Sequence, residues 1–363
     1  MNLNKTLVIL TPGFPENEAD STCLPAQQVF VKALKYTYPL LQIVILSFQY
    51  PFHHESYLWN GISVVPFNGK NKGKLSRLRL WINVFMRLKK ITRENNVIGI
   101  FNFWCSECAL VGKYFSKYSG VKQCSWISGQ DAGKQNKFIK FICPHNNELV
   151  AMSAFLAKEF YRNHAVLPGM IIPNGIDTGE FEVAAVTKII DVCAVGSLIK
   201  LKQYDLFVKI IHQLKEHLPA INAVIYGKGP EEQTLQSGIN KYQLKNNILL
   251  GGEISHPEVL QKMRQSRVFL HPSSYEGCSS VCLEALYAGA HVISFTDPGF
   301  GKIAHWHVVS SPEEMFDKAL DILISTDVDY SPVLVYSMND SAKAVMELFE
   351  PIASMKKAGQ RLL

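Results

Sequence analysis

The sequence predicts an α/β protein made of two doubly wound domains. Apolar runs of strand length alternate with amphipathic runs of helical spacing, which is typical of parallel α/β layers. The alternation forms two series, separated by the turn residues Pro173-Asn174-Gly175, which suit an interdomain connection. A chain of 363 residues is long for one hydrophobic core and sufficient for two. We therefore expect two domains facing each other across a cleft, with ligands beyond the carboxyl ends of the strands.

The first series predicts an N-terminal domain over residues 1–173. Apolar runs place its strands near residues 6–10, 42–48, 97–103, 123–128, 148–152 and 169–173. Helical spacing places its helices near residues 24–36, 75–93, 105–118 and 153–162.

The second series predicts a C-terminal domain over residues 174–335. Its strands are expected at Asp191–Val195, Ala223–Tyr226, Ile248–Leu250, Val268–Leu270 and His291–Ser294. Apolar residues from Leu206 to Leu214 mark an amphipathic helix after the first strand, and Ser255-His256-Pro257-Glu258 has the pattern of a capping box that opens another helix. Residues 336–363 are expected to form a C-terminal helical segment.

The composition is that of a globular protein, with 47% hydrophobic and 19% charged residues. The longest apolar runs, such as Ile43–Leu46, have strand length, so no transmembrane helix is expected, and the first residues read as a strand and not as a signal peptide. Eight irregularly spaced cysteines indicate a reducing cytosol. Cys105 and Cys108 form a C-x-x-C without a second pair, so we expect both to be small buried residues with no redox or zinc role.

Positive charge is concentrated in the first half of the chain. Residues 1–175 hold 20 Lys and Arg against 9 Asp and Glu, and residues 70–93 hold nine basic and no acidic residues. Apolar residues recur at helical spacing within that stretch, at Leu78, Trp81, Ile82, Phe85 and Leu88. Two interpretations stay open: a helix that lies on an anionic membrane surface, or a core-packed helix with a solvated basic face. No nucleic-acid-binding signature accompanies the charge, so nucleic acid is not an expected partner.

The most informative stretch begins at His271 and reads HPSSYEGCSSVCLEALYAG. Its order is strand, small-residue turn and helix. The amide N–H groups at a helix start, with the positive end of the helix dipole behind them, form an anion site. Gly277 permits close approach of a ligand, and Ser279 or Ser280 can cap the helix or bond a phosphate oxygen. The stretch therefore predicts a phosphate cradle.

Two carboxylates flank this cradle, Glu276 before it and Glu284 inside the helix. A carboxylate repels phosphate, so neither residue is expected to hold the anion. An acceptor-only carboxylate suits sugar hydroxyls, which donate hydrogen bonds. A phosphate cradle combined with hydroxyl acceptors predicts a nucleotide-sugar site.

The spacing from Glu276 to Glu284, flanked by SSYEG and EALYAGA, resembles the E-x7-E signature of retaining glycosyltransferases of the GT-B fold, family 4. The resemblance implies two Rossmann-like domains, with the acceptor on the N-terminal one and the nucleotide sugar on the C-terminal one. It also implies that the C-terminal helical segment returns to the first domain, for which Ser341 to Met355 is available. Glu276 would then be a catalytic residue that contacts the donor sugar, and Glu284 would bind the ribose hydroxyls. The amides near the diphosphate would be those of Gly277, Cys278, Ser279 and Ser280.

Further parts of the second domain resemble the family. After the strand that ends near Val195, family members have an arginine and then a lysine followed by glycine, and both cations grip the diphosphate. Lys202 fits the lysine position and is an implied catalytic and donor-binding residue, whereas Ser197 stands at the arginine and Gln203 at the glycine. Because a hydroxyl brings no charge, Ser197 would stabilise the leaving group less than arginine does.

Two glycine-rich turns of the second domain also match the family. Gly227-Lys228-Gly229-Pro230-Glu231 resembles a G-x-G-P-E turn near the nucleotide, where Gly227 is expected to have a structural role. Residues 251–254 lie where family members hold the base through backbone groups, which places Ile254 on the base side of the donor site.

In the first domain, Gly13 matches a small-residue loop that the family places under the donor phosphate. The segment from Trp126 to Asp131 resembles an H-G-x-D motif in which Ser128 stands where many members have histidine, so no catalytic histidine is available at this position. Asp131 either acts catalytically by orienting acceptor or sugar hydroxyls, or only forms the turn of its loop.

The resemblance implies transfer from a nucleotide-diphosphate sugar to an acceptor hydroxyl with retention of configuration, by a front-face displacement in which the departing phosphate helps deprotonate the acceptor. No cofactor and no metal are expected, since no D-x-D sits at a strand end. Two other classes stay open. One is a GT-B nucleotide-sugar epimerase, and the other is a catalytically weak nucleotide- or carbohydrate-binding protein, which Ser128 and Ser197 suggest.

The basic first domain favours a membrane-associated acceptor, a glycan or a lipid-linked sugar, in cell-envelope, capsular polysaccharide or other glycoconjugate synthesis. The corresponding location is the cytoplasm, at the inner face of the membrane. A soluble acceptor, with a basic face that serves only solubility, is the alternative.

Overall fold

The computed structural model describes residues 5–181 and 186–349. It divides the chain into two compact units. Unit 1 holds the residues up to Gly175 together with the segment that starts at Met338, and unit 2 holds Ile176–Ser337.

Unit 1 is built on an eight-stranded sheet with the order β3-β4-β2-β1-β5-β6-β7-β8, in which only the β3–β4 pair is antiparallel. The six strands predicted in the first series are confirmed, and so are its four helices. The strands are β1 (Lys5–Gly13), β2 (Gln42–Tyr50), β3 (Tyr57–Trp59), β4 (Ile62–Pro66), β5 (Asn96–Phe103), β6 (Gln123–Ile127), β7 (Leu149–Ala151) and β8 (Met170–Ile171). The helices are α1 (Pro25–Thr37), α2 (Lys74–Glu94), α3 (Glu107–Ser119), α4 (Ile139–Ile142) and α5 (Ala154–His164).

The hairpin β3–β4 at the edge of this sheet was not predicted. Its turn is Asn60-Gly61, and both residues have positive φ, 45° and 72°. This is the conformation of a two-residue hairpin turn, for which Asn-Gly is the preferred pair. The local signal was therefore present in the sequence, although three-residue β3 is too short to show alternation.

Helix α2 has two rows of apolar residues, one buried and one exposed, whereas the sequence predicted a single apolar face. Leu80, Val84, Leu88 and Ile91 are buried against the sheet. On the opposite side, a second row is exposed: Leu75 (86%), Leu78 (52%), Ile82 (54%) and Met86 (56%). Core packing thus accounts for the first row only.

Unit 2 is built on a six-stranded, fully parallel sheet with the order β11-β10-β9-β12-β13-β14. Its strands are β9 (Ile190–Val195), β10 (Ala223–Tyr226), β11 (Ile248–Gly252), β12 (Ser266–His271), β13 (His291–Ser294) and β14 (Trp306–Val308). The first five were predicted, and β14 was not. Its helices are α6 (Tyr204–His217), α7 (Glu232–Lys241), α8 (His256–Arg264), α9 (Ser280–Tyr287) and α10 (Pro312–Ile324).

The order of unit 2 reverses at β9, which pairs with β10 on one side and β12 on the other. In an open parallel sheet, the crevice beyond the carboxyl ends of two such strands is the usual ligand site. The loops that follow β9 and β12 meet at this position. They carry Lys202 and the cassette from Glu276 to Ser280.

The last helix among the described residues, α11 (Met338–Glu347), belongs to unit 1. Its apolar residues join the same core as Phe30, Phe101 and Trp126. Ser341 fixes the helix to the end of the first series, since its Oγ donates to the Pro173 carbonyl (2.8 Å) and accepts from the Gly175 amide (3.2 Å). The predicted C-terminal segment extends past these residues, and its positions 350–363 lie outside the described part of the chain.

Within the described ranges 5–181 and 186–349, no helix is both long enough and apolar enough to cross a bilayer.

Candidate active site

The loops after β9 and β12 are joined by hydrogen bonds at the reversal of strand order. The Ser274 amide donates to the Leu201 carbonyl (3.1 Å), and the Ser273 hydroxyl donates to the same oxygen (3.3 Å). This attachment brings Lys202, at the end of one loop, next to Glu276 in the other. Two of the three predicted catalytic residues are therefore adjacent.

Glu276 accepts hydrogen bonds at Oε1 from Lys202 Nζ and from His271 Nε2, the latter at 3.0 Å. Burial alone would raise the pKa of its carboxyl, but the hydrogen bond from His271 and the charge of Lys202 outweigh burial and lower the pKa to about 2. Glu276 is therefore ionised at neutral pH and has only acceptors to offer a ligand.

His271, the last residue of β12, was not predicted as a site residue. Its side chain is buried, and burial lowers the pKa of its imidazole although Glu276 opposes this. A neutral imidazole has one N–H, and the ionised Glu276 carboxylate requires that N–H at Nε2. The ring therefore serves as a neutral donor that fixes the carboxylate. No local pattern in the sequence distinguishes this histidine from an ordinary strand-end residue.

The cradle from Gly277 to Ser280 connects Glu276 to helix α9. Ser279 is the N-cap residue, but its side chain makes no capping hydrogen bond. Its Oγ lies 3.5 Å from His271 Nε2, on the side of Glu276. Of the two uses predicted for this serine, capping is not seen, and bonding to a phosphate oxygen stays a prediction.

Glu284 contacts the N-terminus of α8. Its Oε1 lies 3.0 Å from His256 Nε2, and the other ring nitrogen, Nδ1, lies 3.0 Å from Glu180 Oε2. The hydrogen bonds that the ring donates to Glu180 and Glu284 raise the pKa of His256 to about 10, against the effect of burial. The imidazole is thus a cation between two carboxylates. The sequence predicted a capping box at this helix start, which is present between Ser255 and Glu258, but it did not predict the bridge.

Three glycines lie where the ends of β9, β10 and β11 come together. Gly227 has φ of +143°, and a Cβ there would lie 2.0 Å from the carbonyl oxygen of Gly196, the residue that follows β9. Its amide donates to the Gly252 carbonyl at the end of β11 (2.7 Å). Ile254 follows two residues later and is half-buried, whereas Ser197, after Gly196, is exposed. Gly227 is thus required by the close approach of the strand ends.

Tyr204, the first residue of α6, places its hydroxyl beside the same glycine loop. A Cβ on Gly196 would lie 2.9 Å from this oxygen, which is buried and has no hydrogen-bond partner among the described residues. The preceding residue, Gln203, has φ of +50°, in the left-handed region that favours glycine. Glycine, which the resemblance implies at the position of Gln203, would adopt this conformation without strain. Tyr204 was not predicted as a site residue.

The two candidates of the first domain lie in unit 1. Gly13 is the buried last residue of β1. Asp131 is buried in the turn after β6, and its Oδ2 accepts from the amide (2.8 Å) and the hydroxyl (3.1 Å) of Ser128. Burial raises the pKa of its carboxyl to about 6. These bonds are those of a turn-forming aspartate, and a catalytic role stays a prediction.

Outside the site, the predicted burial of Cys105 and Cys108 is confirmed: both are free thiols packed in apolar clusters. Burial raises the pKa of both thiols. Among residues 5–181 and 186–349, no group of three or more His, Cys, Asp or Glu side chains is arranged to hold a metal ion.

Most of unit 2 matches a family of known proteins. Residues 177–327 match the family described as glycosyl transferases group 1. The chain is 26% identical over 292 residues to the phosphatidylinositol N-acetylglucosaminyltransferase gpi3 subunit of Schizosaccharomyces pombe, covering 76% of this chain and 63% of the relative. It is 27% identical over 163 residues to a subunit of the human phosphatidylinositol N-acetylglucosaminyltransferase, covering 44% and 34%. The chain thus spans less than two thirds of both relatives.

Among solved structures, Anabaena HepE in complex with UDP and glucose is similar, with a TM-score of 0.65, 14% identity and 95% of each chain covered. At this identity the likeness establishes the fold. Two parallel-sheet units of this kind constitute the GT-B fold.

Proposed function

We propose that this chain, whose residues 177–327 match the group 1 glycosyl transferases, transfers a sugar from a nucleotide-diphosphate donor to an acceptor hydroxyl with retention of configuration. The observation that carries this proposal is the pair formed by Glu276 and Lys202 at the reversal of strand order in unit 2. An ionised carboxylate beside an ammonium group, both in front of a helix start, suits a ligand that has hydroxyls at one end and a diphosphate at the other.

Glu276 accepts hydrogen bonds from hydroxyls of the donor sugar. With a pKa of about 2 it carries no proton at neutral pH, so it does not act as a general acid. Lys202 has three N–H donors, of which one is used by Glu276, and the others are available to the diphosphate. The amides at the start of α9 receive the rest of the charge that develops on the leaving group.

The reaction forms a bond from the acceptor oxygen to the anomeric carbon and breaks the bond from that carbon to the diphosphate oxygen on the same face. The acceptor proton passes to the departing phosphate, so no protein base is required. Glu284 accepts from the ribose hydroxyls and holds the nucleotide in register with the sugar. The donor is the substrate, and no further cofactor is part of this proposal.

We take UDP-N-acetylglucosamine as the first donor to test. Both curated relatives are named for N-acetylglucosaminyl transfer, and HepE was solved with UDP. The relatives' names also include phosphatidylinositol, which agrees with a lipid-linked acceptor in glycoconjugate or envelope synthesis.

The exposed apolar row of α2 supports an acceptor at a membrane. Leu75, Leu78, Ile82 and Met86 lie on one face, and the exposed basic residues Lys72, Lys74, Arg79, Lys90 and Arg93 accompany them. Apolar side chains that enter the headgroup region, flanked by cations that face anionic lipid, are the two components of interfacial binding. We therefore propose that unit 1 binds the cytoplasmic leaflet through α2.

The test is NMR of the products formed from UDP-N-acetylglucosamine, UDP-glucose and GDP-mannose with lipid-extract acceptors. A new glycoside with the anomeric configuration of the donor is expected from the wild type and not from Glu276→Gln. Products of inverted configuration would contradict retention, and epimerised donor without transfer would replace the proposal by an epimerase. Nucleotide binding without any product would indicate a binding protein.

A further inference from the structure

The bridge Glu180–His256–Glu284 joins three separate elements of unit 2. Glu180 lies in the short 3-10 turn Thr178–Glu180 at the beginning of the unit, His256 is the first residue of α8, and Glu284 lies in α9. Both carboxylate contacts of the imidazole measure 3.0 Å. The three side chains are 14% to 30% exposed, so the bridge is partly shielded from water.

The geometry requires a protonated ring. A neutral imidazole has one N–H donor and one bare nitrogen, and a bare nitrogen that faces a carboxylate oxygen at 3.0 Å would be repelled by it. Since Nδ1 and Nε2 both face carboxylate oxygens, both must donate. His256 is also at a helix start, where the positive end of the dipole disfavours a cation, so two carboxylates are needed to hold the charge.

The turn that carries Glu180 is attached to the same helix as Glu284 by a second contact. The ring of Phe181 packs edge-to-face on Tyr287, one turn along α9 from Glu284, at 4.8 Å between centroids. The packing of Phe181 therefore holds Glu180 in position. Because the His256 ring is bonded to Glu180, its contact with Glu284 is held in position as well. The bond uses Oε1 of Glu284, which leaves the lone pairs of Oε2 for a ligand.

We propose that His256, as an imidazolium held by Glu180, is the positioning residue that orients Glu284 to accept hydrogen bonds from the ribose hydroxyls of the donor nucleotide. The inference rests on the proposed function, which supplies the nucleotide, and adds to it two residues, His256 and Glu180, that do not touch the donor.

The test compares the affinities of two nucleotides by calorimetry: the one among UDP, GDP, ADP and CDP that binds the wild type most tightly, and its 2′,3′-dideoxy counterpart. The wild type is expected to prefer the ribose form by about tenfold or more, the value of a hydrogen bond to a charged group. His256→Gln, which carries no positive charge and has both N–H donors on a single nitrogen, is expected to reduce the preference to under about threefold. Its affinity for the dideoxy form should stay that of the wild type, because the base and phosphate contacts are elsewhere.

The matched control is His212→Gln, a histidine of the same unit that stacks on Tyr242, away from the bridge. This control should retain the full preference for ribose. Equal weakening of both nucleotides by His256→Gln would mean general damage to the site and would overturn the inference, as would an unchanged preference. If none of the four nucleotides binds the wild type, the donor assignment itself fails, which is a different result from a retained preference in the variant.

A second variant gives a readout that a structural role would not move. Glu180→Gln removes the largest contribution to the raised pKa of His256. The remaining charged groups nearby are Glu284 on α9, Glu258 on the same helix, which bonds Ser255, and Glu253 in the preceding loop, which pairs with Lys228. The ring should then lose its proton as the pH rises, so the preference for ribose should be retained at pH 6 and lost by pH 9. The wild type should keep it throughout, and a Glu180→Gln preference that does not depend on pH would contradict the proposal.

Discussion

Lys202 Nζ donates a hydrogen bond to Glu276 Oε1, so the cation expected at the diphosphate and the carboxylate expected at the sugar are direct partners. Each one affects the other. The lysine helps to keep the buried carboxylate ionised, and the carboxylate holds the ammonium group at the reversal of strand order.

We expect Lys202→Ala to lower kcat by about 10²- to 10³-fold, the loss that follows removal of one preorganised donor to a developing negative charge. The pKa of Glu276 should rise at the same time, because one of its lowering contributions is lost. The matched control is Lys200→Ala, since Lys200 lies in the same 3-10 turn and is exposed. Steady-state kinetics of both variants check this, and equal losses would show that only general positive charge matters.

The two glutamates of the cassette should differ in their effects. Glu284→Gln should weaken binding of the nucleoside diphosphate alone, because one hydrogen bond to a charged acceptor is worth about 1.5–3 kcal/mol, or roughly tenfold to over a hundredfold in affinity. Glu276→Gln should leave that affinity nearly unchanged and slow transfer. Calorimetry with the nucleoside diphosphate, followed by rate measurements, separates the two effects. Unchanged affinity in both variants would contradict the division of roles.

Most strands and helices could be predicted from local sequence patterns, whereas the contacts between side chains in the candidate site could not. Strands β9 to β13 show as apolar runs because both faces of a parallel sheet are buried, whereas β14, with three residues, is too short to show a pattern. The motif spacing alone was enough to predict Lys202 and Glu276 as candidate site residues. The link from Glu284 to His256 depends on how α8 and α9 pack, so spacing along the chain does not contain it. The two rows of α2 both have helical period, and only burial separates them.

A histidine cluster at the edge of unit 2 predicts acid sensitivity. The register of β13 and β14 brings His291 beside His307 (3.1 Å between Nδ1 and Nε2), and His305 stacks on His291 at 4.4 Å between centroids. Burial lowers the pKa of His291, and burial with the neighbouring ring lowers that of His307 to about 4. The unfolded chain therefore binds more protons between pH 6.5 and 4, and stability present above pH 6.5 should be lost as the pH falls through this window.

The corresponding measurement is urea unfolding of the wild type and of His307→Gln from pH 7 to pH 4. A glutamine amide can still donate to His291 Nδ1 but does not titrate, so the free energy of unfolding should depend less on pH in the variant. Other groups contribute to the acid response of both proteins, and the difference between the two curves isolates His307. Parallel curves would assign the acid sensitivity to other residues.

Membrane binding through α2 should depend on both the apolar row and the surrounding charge. Wild-type protein should bind vesicles of phosphatidylcholine more strongly as the phosphatidylglycerol content rises, and less strongly as salt is added, since each nearby Lys or Arg contributes about 1 kcal/mol of screened attraction. The double variant Leu78→Ser, Ile82→Ser removes two side chains that would enter the headgroup region, and we expect it to weaken binding by about tenfold or more. The control is Leu40→Ser, which changes a leucine of unit 1 that is 84% exposed but lies outside α2. Co-sedimentation measures all three proteins. Binding that ignores lipid charge and salt, or equal loss in the double variant and the control, would remove α2 as the membrane contact and leave a soluble acceptor as the better explanation of the basic unit.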